Sequence, residues 1–455
     1  MSKRAGCRLA LIILLLLSLF STASAGQTDA LAAVLLEEGT EPARLDFSLK
    51  VDSLAAFDEH RTEQLNQLLS HFSGRAETDG DRTALTLFAG LEEALRLTVN
   101  REGGEEQLFF SCAPLTAYTF PAGESPWTTE PESEWMQLAA RCRLLLTEGY
   151  AFFSELPGLC PEACRETAVN ENIRKVGKAK KKVTVSFSKQ EAAEGRISAA
   201  LAGTNREKVK QELAALTFDG AQRAVLYFNG EDQLIKVSFS GEISMGEGTA
   251  RKVSLEWRCF RTAEGNYDDL TLKTPEVRGN DRDNVVLQRE ETFGEQETLE
   301  ISLSGDQVKN RVRTRRQATV SLAWAEQLTG QMEMKETRGD DTALIRVTPE
   351  IRTENGKEYR GTLAISRETG KITEEAVTVQ LSLGPGEPVA LPEAEGTVAV
   401  AAGESADSEA LQALKDKIIA AVFGKMICLP AEDLGFLTDG IAAGDLAALW
   451  ALRDE

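Results

Sequence analysis

Between Thr217 and Leu383 apolar and polar residues alternate in stretch after stretch, each closed by a short turn rich in Gly, Asn and Asp. Ile235, Val237, Phe239, Ile243 and Met245 fall at even spacing, with Lys236, Ser238, Ser240, Glu242 and Ser244 between them. Successive strand side chains point to opposite faces, so the pattern predicts a long antiparallel sheet with one apolar and one wet face. Asn229-Gly230 and Asn355-Gly356 are strong hairpin turns, because both residue types tolerate positive φ. Turns recur roughly every 10 to 17 residues, which predicts an up-and-down meander of about ten strands.

Helical periodicity appears on either side of this region. Ser188 to Glu191 and Thr204 to Glu207 both fit a capping box, and the segments behind them carry Ala193, Ile197, Ala200 and Leu201, then Val209, Leu213 and Leu216, on one face. Two such helices need an apolar surface, and the one-faced sheet supplies it. The fold class expected is α+β: a long, curved, half-barrel antiparallel sheet with helices on one face. Nearer the N-terminus, Leu45, Phe47, Leu49 and Val51 predict a strand, Leu65, Leu68, Leu69 and Phe72 a helix over 56–72, and three further strands follow. A second helix is expected around Trp135 to Leu146. Pro and Gly punctuation then divides the chain into a leader (1–25), an N-terminal α/β domain (26–175), the β-meander domain (176–383), a linker (384–407) and a C-terminal helical segment (408–455).

The leader has a recognisable chemistry. Lys3, Arg4 and Arg8 precede an apolar run from Leu9 to Phe20 and then Ala23-Ser24-Ala25. That is the layout of a secretory signal peptide cleaved after Ala25, and the run is short of the roughly 20 residues that span a bilayer. Removing Lys3, Arg4 and Arg8 takes the formal charge from −21 to −24. So acidic a chain repels nucleic acid and anionic membrane and favours cationic partners. A secreted, extracytoplasmic protein without a transmembrane segment after cleavage is expected.

Six cysteines remain beyond the leader, Cys112, Cys142, Cys160, Cys164, Cys259 and Cys428, an even number compatible with three disulfides. Cys259 is in phase with Val253, Leu255 and Trp257, and Cys428 follows the C-terminal helix, which makes these two a candidate pair. The other four are expected to cluster in the N-terminal domain.

Reactive motifs are scarce. The two histidines, His60 and His71, would lie ~16 Å apart on one helix, too far to share a metal. There is no His-Glu-x-x-His, no Gly-x-Ser-x-Gly and no phosphate-cradling glycine loop. Asp281-Arg282-Asp283-Asn284 resembles the start of a calcium loop but lacks the glycine and distal glutamate, so a solvated turn is expected. Arg311, Arg313 and Arg315 line one strand face and are expected to pair with Glu295, Glu297 and Glu300. No catalytic residue, metal or cofactor emerges, and a carboxylate-dependent hydrolase ranks below non-catalytic roles because the chain has only 6% aromatic residues for binding sugars.

The order strand, two helices, meander, with the hairpin Leu226 to Ser240 at its start, is similar over residues 181–383 to the LolA-like and LppX-like half-barrel family of bacterial envelope lipoprotein and lipid carriers. This resemblance implies a concave apolar cavity that holds acyl chains or another hydrophobic ligand, without the lipid-anchoring cysteine of tethered members. Two roles follow. An exported, non-catalytic envelope protein would bind a hydrophobic ligand or an envelope partner in an open groove lined by Val237, Phe239, Leu255, Trp257 and Leu322. Alternatively, the helices fill that groove and the chain is a structural or protein-interaction module.

Overall fold

A computed structural model describes residues 42–55, 57–79, 82–100, 105–111, 116–121, 142, 144–214, 216–245, 249–339, 341–354, 358–370, 372–392 and 396–399, with 420, 424, 425, 429 and 430. The leader, Cys112, Cys428 and nearly all of the predicted C-terminal helix lie outside these residues. The chain divides into two units, one of 1–132, 326–329 and 345–455, the other of 133–325 and 330–344. The sequence placed the boundary near residue 175; the division falls earlier, and the first unit also takes strands from the far end of the chain.

The first unit begins with β1 (Ala43–Leu54) and α1 (Glu59–Leu69), followed by β2 (Phe72–Thr78), β3 (Arg82–Ala89), β4 (Glu92–Asn100), β5 (Glu105–Phe110) and β6 (Thr116–Pro121). Asp58 starts α1 by accepting the Arg61 amide at 2.9 Å, which satisfies one of the free donors of the first turn. From β1 to β6 each strand pairs antiparallel with the next.

The second unit opens with a π-helical turn, Leu145–Gly149, running into α2 (Tyr150–Leu159). A hairpin of β7 (Cys164–Ile173) and β8 (Gly177–Phe187) follows, across the boundary expected near residue 175. The lysine run is part of β8: Lys181 pairs with Asp232 and sits 4.9 Å above the Phe228 ring, and Lys182 lies 5.4 Å above Tyr227. Three short helices come next, α3 (Lys189–Ala193), α4 (Arg196–Leu201) and α5 (Glu207–Ala214). The Ser188 capping box is complete, and Gly195, at φ 71°, breaks the first predicted helix into α3 and α4.

The meander is then β9 (Leu216–Phe218), β10 (Gln222–Phe228), β11 (Leu234–Met245), β12 (Arg251–Arg261), β13 (Gly265–Pro275), β14 (Arg282–Thr292), β15 (Glu297–Lys309) and β16 (Val312–Trp324). From β10 to β16 neighbours in sequence pair antiparallel, and β8 pairs with β10 on the other side. The chain continues through β17 (Gln327–Arg338), β18 (Asp341–Glu354), β19 (Glu358–Thr369), β20 (Ile372–Pro385) and β21 (Gly396–Ala399). β20 returns to β1, with Ala43 opposite Pro385 and Val51 opposite Val377, and β21 runs parallel to β6.

The core of the second unit lies on one sheet face, where Val183, Leu226, Val237, Leu255, Trp257 and Leu270 meet Phe152, Leu156, Ile197, Leu201 and Val209 from the helices. One detail departs from the sequence pattern. Tyr227 opposes Lys236 but Phe228 opposes Leu234, so Ile235 is the extra residue of a β-bulge. The bulge moves Leu234 onto the helix-covered face and turns Ile235 to the opposite face, where it packs with Ile173, Val176, Ala179 and Tyr227. Ile235 and Val237 therefore belong to different cores, while Phe239 and Ile243 are half-buried, as are Lys236, Ser238 and Glu242.

Candidate functional site

Four of the five residues expected to line an open groove belong to the second unit's helix-covered core, and Leu322 lies outside that cluster. Val237 and Trp257 have no exposed surface and Leu255 only 4%. Phe239 is half-buried against the same cluster, and Leu322 is buried on β16. The Tyr150 and Phe153 rings meet Trp257 edge-on, with centroids 6.2 and 6.3 Å away. The cover includes α2, which begins just beyond the predicted 135–146 helix, in addition to the two helices expected.

A buried polar node lies at the edge of that cover. Asp268 is fully buried on β13, opposite Cys259; its Oδ1 accepts the Trp257 Nε1–H at 3.0 Å and Arg261 Nη2–H at 2.7 Å. Arg289 lies 3.7 Å from Oδ2. Arg261 also donates to the Tyr267 carbonyl at 3.0 Å and the Leu146 carbonyl at 3.4 Å, and its guanidinium lies 4.8 Å over the Tyr150 ring. It thus links the sheet to the π-helical turn. Burial pushes the Asp268 carboxyl above the usual carboxylate range, and Arg261 and Arg289 oppose that shift. Enclosed in this way, the carboxylate has no approach for a substrate. Its chemistry is that of a structural ion cluster.

All four described cysteines, Cys142, Cys160, Cys164 and Cys259, are free thiols. This corrects the disulfide expectation for them, and Cys142, Cys160 and Cys164 belong to the second unit rather than to an N-terminal cluster. Cys164 Sγ–H donates to the Cys160 carbonyl at 3.0 Å. Burial raises the thiol of Cys142, and likewise that of Cys160, to about 11. Cys259 is shifted further in the same direction, again chiefly by burial. Such thiols are poor nucleophiles at neutral pH.

The polar surface candidates are engaged within the protein. Asp283 accepts from Arg251 at 2.9 Å and Asp281 from the Asn310 amide at 3.0 Å, an arrangement of turn and strand contacts. Arg313 makes a forked pair with Asp306 at 2.6 and 2.7 Å. The arginine row therefore finds its carboxylate at Asp306 rather than at Glu295, Glu297 or Glu300, because the β15–β16 register sets Asp306 opposite Arg315 and Glu300 opposite Ser321.

An open apolar space lies in the first unit. A cavity of about 220 Å³ between α1 and the sheet is walled by Phe47, Leu49, Leu68, Leu69, Phe72 and Leu87. Gly74, opposite both Phe47 and Leu87, forms its floor, and a Cβ there would come within 2.1 Å of Phe47 Cζ. Two hydrogen bonds fix the helix: Asn66 Nδ2–H donates to the Val51 carbonyl at 2.6 Å, and Asn66 Oδ1 accepts the Val51 amide at 2.7 Å. Leu68 is buried at 3%, whereas Leu49 is exposed at the rim.

Sequence reasoning named neither Asp268 nor the pocket. A signal for the first was present: Arg261, Asp268 and Arg289 stand in phase with Trp257, Leu270 and Leu287, charged residues at apolar positions of three consecutive strands. The second depends on the spacing between a helix and a sheet, which periodicity does not encode.

No protein-family model and no curated protein matches this chain. Among solved structures it is similar to OmpT, an outer membrane protein of Vibrio cholerae, at 6% identity and a TM-score of 0.23, covering 75% of this chain and 95% of that one. Pseudomonas aeruginosa OpdQ matches at 6% identity and a TM-score of 0.28, covering 76% and 98%, and OccK3 of the same organism at 8% and 0.27, covering 77% and 96%. Likenesses this slight contribute nothing to the functional assignment.

Proposed function

We propose that this chain is an exported, non-catalytic protein-interaction module of the bacterial envelope, whose second unit is a self-filled structural core. One observation carries the proposal: Trp257, at the centre of the expected groove, has no exposed surface and lies against Tyr150 and Phe153. A carrier needs unoccupied apolar volume at that place, and here the chain's own side chains occupy it. Export rests on the basic, apolar and small-residue layout of the first 25 residues. The strongly acidic charge favours a partner with a basic surface.

Mass spectrometry of lipids extracted from the purified mature protein tests the proposal. The expected result is no lipid in stoichiometric amount. One lipid per chain would overturn the filled-core reading and restore the carrier.

A further inference from the structure

The first-unit cavity has features of a built binding site. Nine residues line it, none of them charged, and its walls are leucine and phenylalanine side chains. An exposed apolar cavity costs stability if nothing enters it, and a helix free to settle onto the sheet would close it. Here Asn66 holds α1 to the β1 backbone through a donor and an acceptor together. Gly74 keeps the floor low enough for the Phe47 ring to lie across it.

We infer that this cavity binds a small, neutral aromatic molecule of one or two rings. At about 220 Å³ it is smaller than the pockets of roughly 300 Å³ and more that take drug-sized ligands. It exceeds the ~150 Å³ of a dry, leucine- and phenylalanine-lined cavity that accepts benzene. A long acyl chain would leave most of its length outside that volume. The uncharged lining offers no counter-ion to a carboxylate, phosphate or amine, so the ligand is neutral. Leu49, exposed at the mouth, completes the apolar entrance.

The test is methyl NMR on leucine-labelled full-length mature protein titrated with indole and, separately, with decanoate. Indole is expected to shift the methyls of Leu49, Leu68, Leu69 and Leu87 saturably, with a Kd on the order of 0.1–1 mM. Leu49→Trp, which offers a ring to the mouth, and Gly74→Ala, whose Cβ would displace the Phe47 ring that walls the cavity, are each expected to weaken indole at least tenfold. Thermal melts identify any variant that fails to fold. No saturable shift up to the solubility of indole, tighter binding of decanoate than of indole, or unchanged affinity in both folded variants would overturn the inference.

Discussion

The two units place helices on antiparallel sheets and reach opposite results. In the second, large side chains on both partners interlock: Trp257, Leu226 and Leu270 from the strands against Phe152, Leu156 and Ile197 from the helices. In the first, α1 is hydrogen-bonded to β1 through Asn66, and a cavity remains beside it. Whether a one-faced sheet becomes a core or a pocket thus depends less on its own alternation than on what fixes the covering helix. Apolar contact draws a helix down until atoms touch, whereas a polar pin sets its position by hydrogen-bond length.

The sharpest way to break this contrast is at Trp257. Trp257→Ala would leave a cavity beneath α2 and remove a hydrogen bond to buried Asp268; we expect a loss of about 3–5 kcal/mol in urea unfolding. A loss below 1 kcal/mol would mean that the second unit is not tightly filled.

Asn66→Ala should cost less, about 1–3 kcal/mol, since the backbone donor and acceptor of buried Val51 both lose a partner. Hydrogen exchange should show faster exchange at the Val51 amide, while amides of β10 to β12 keep their protection. Equal acceleration in both units would refute the distinction between pinned and packed helices.

The thiols sharpen the comparison by pH. In the native chain burial holds Cys142 and Cys160 protonated up to about 11, against an ordinary value of 9.0. Above pH 9 the unfolded chain releases these protons first, so this stabilisation is fully present below 9 and is lost as pH rises from 9 to 11. The urea midpoint of the protein should fall across that window by more than that of Cys160→Ala. At pH 8, Cys160 and Cys259 should resist alkylation until the protein is denatured. The smallest effect is expected at the open pocket: Leu49→Ser, at an exposed rim position, should change stability by no more than about 0.5 kcal/mol in the same unfolding assay.

Much of this architecture was legible from alternation. The strands from β10 to β16, the capping box at Ser188 and the place of Trp257 on the helix-covered face all follow from period and cap chemistry. β7 and the lysine-bearing first half of β8 did not, because lysines stand where a strand is expected to show apolar residues. Those lysines lie over Tyr227 and Phe228, a contact that depends on a neighbouring strand. Ile235 was assigned to the face of Val237 because a bulge shifts the phase without leaving a glycine or proline to mark it. At the site level, the groove residues were recognised as apolar, but their occupancy depended on α2, where Pro157 obscures the helical signal.

The pairing of β1 with β20 bears on the order in which the protein can assemble. Contacts within the meander join strands adjacent in sequence, so they can form as soon as each hairpin has been synthesised. β1 is among the earliest described segments to emerge, yet one of its edges must wait for residues 375–385. Until then that edge presents open backbone donors and acceptors to any other strand. A nascent chain therefore carries an adhesive edge near its N-terminus through most of its synthesis, and folding helpers that shield extended segments would act there first.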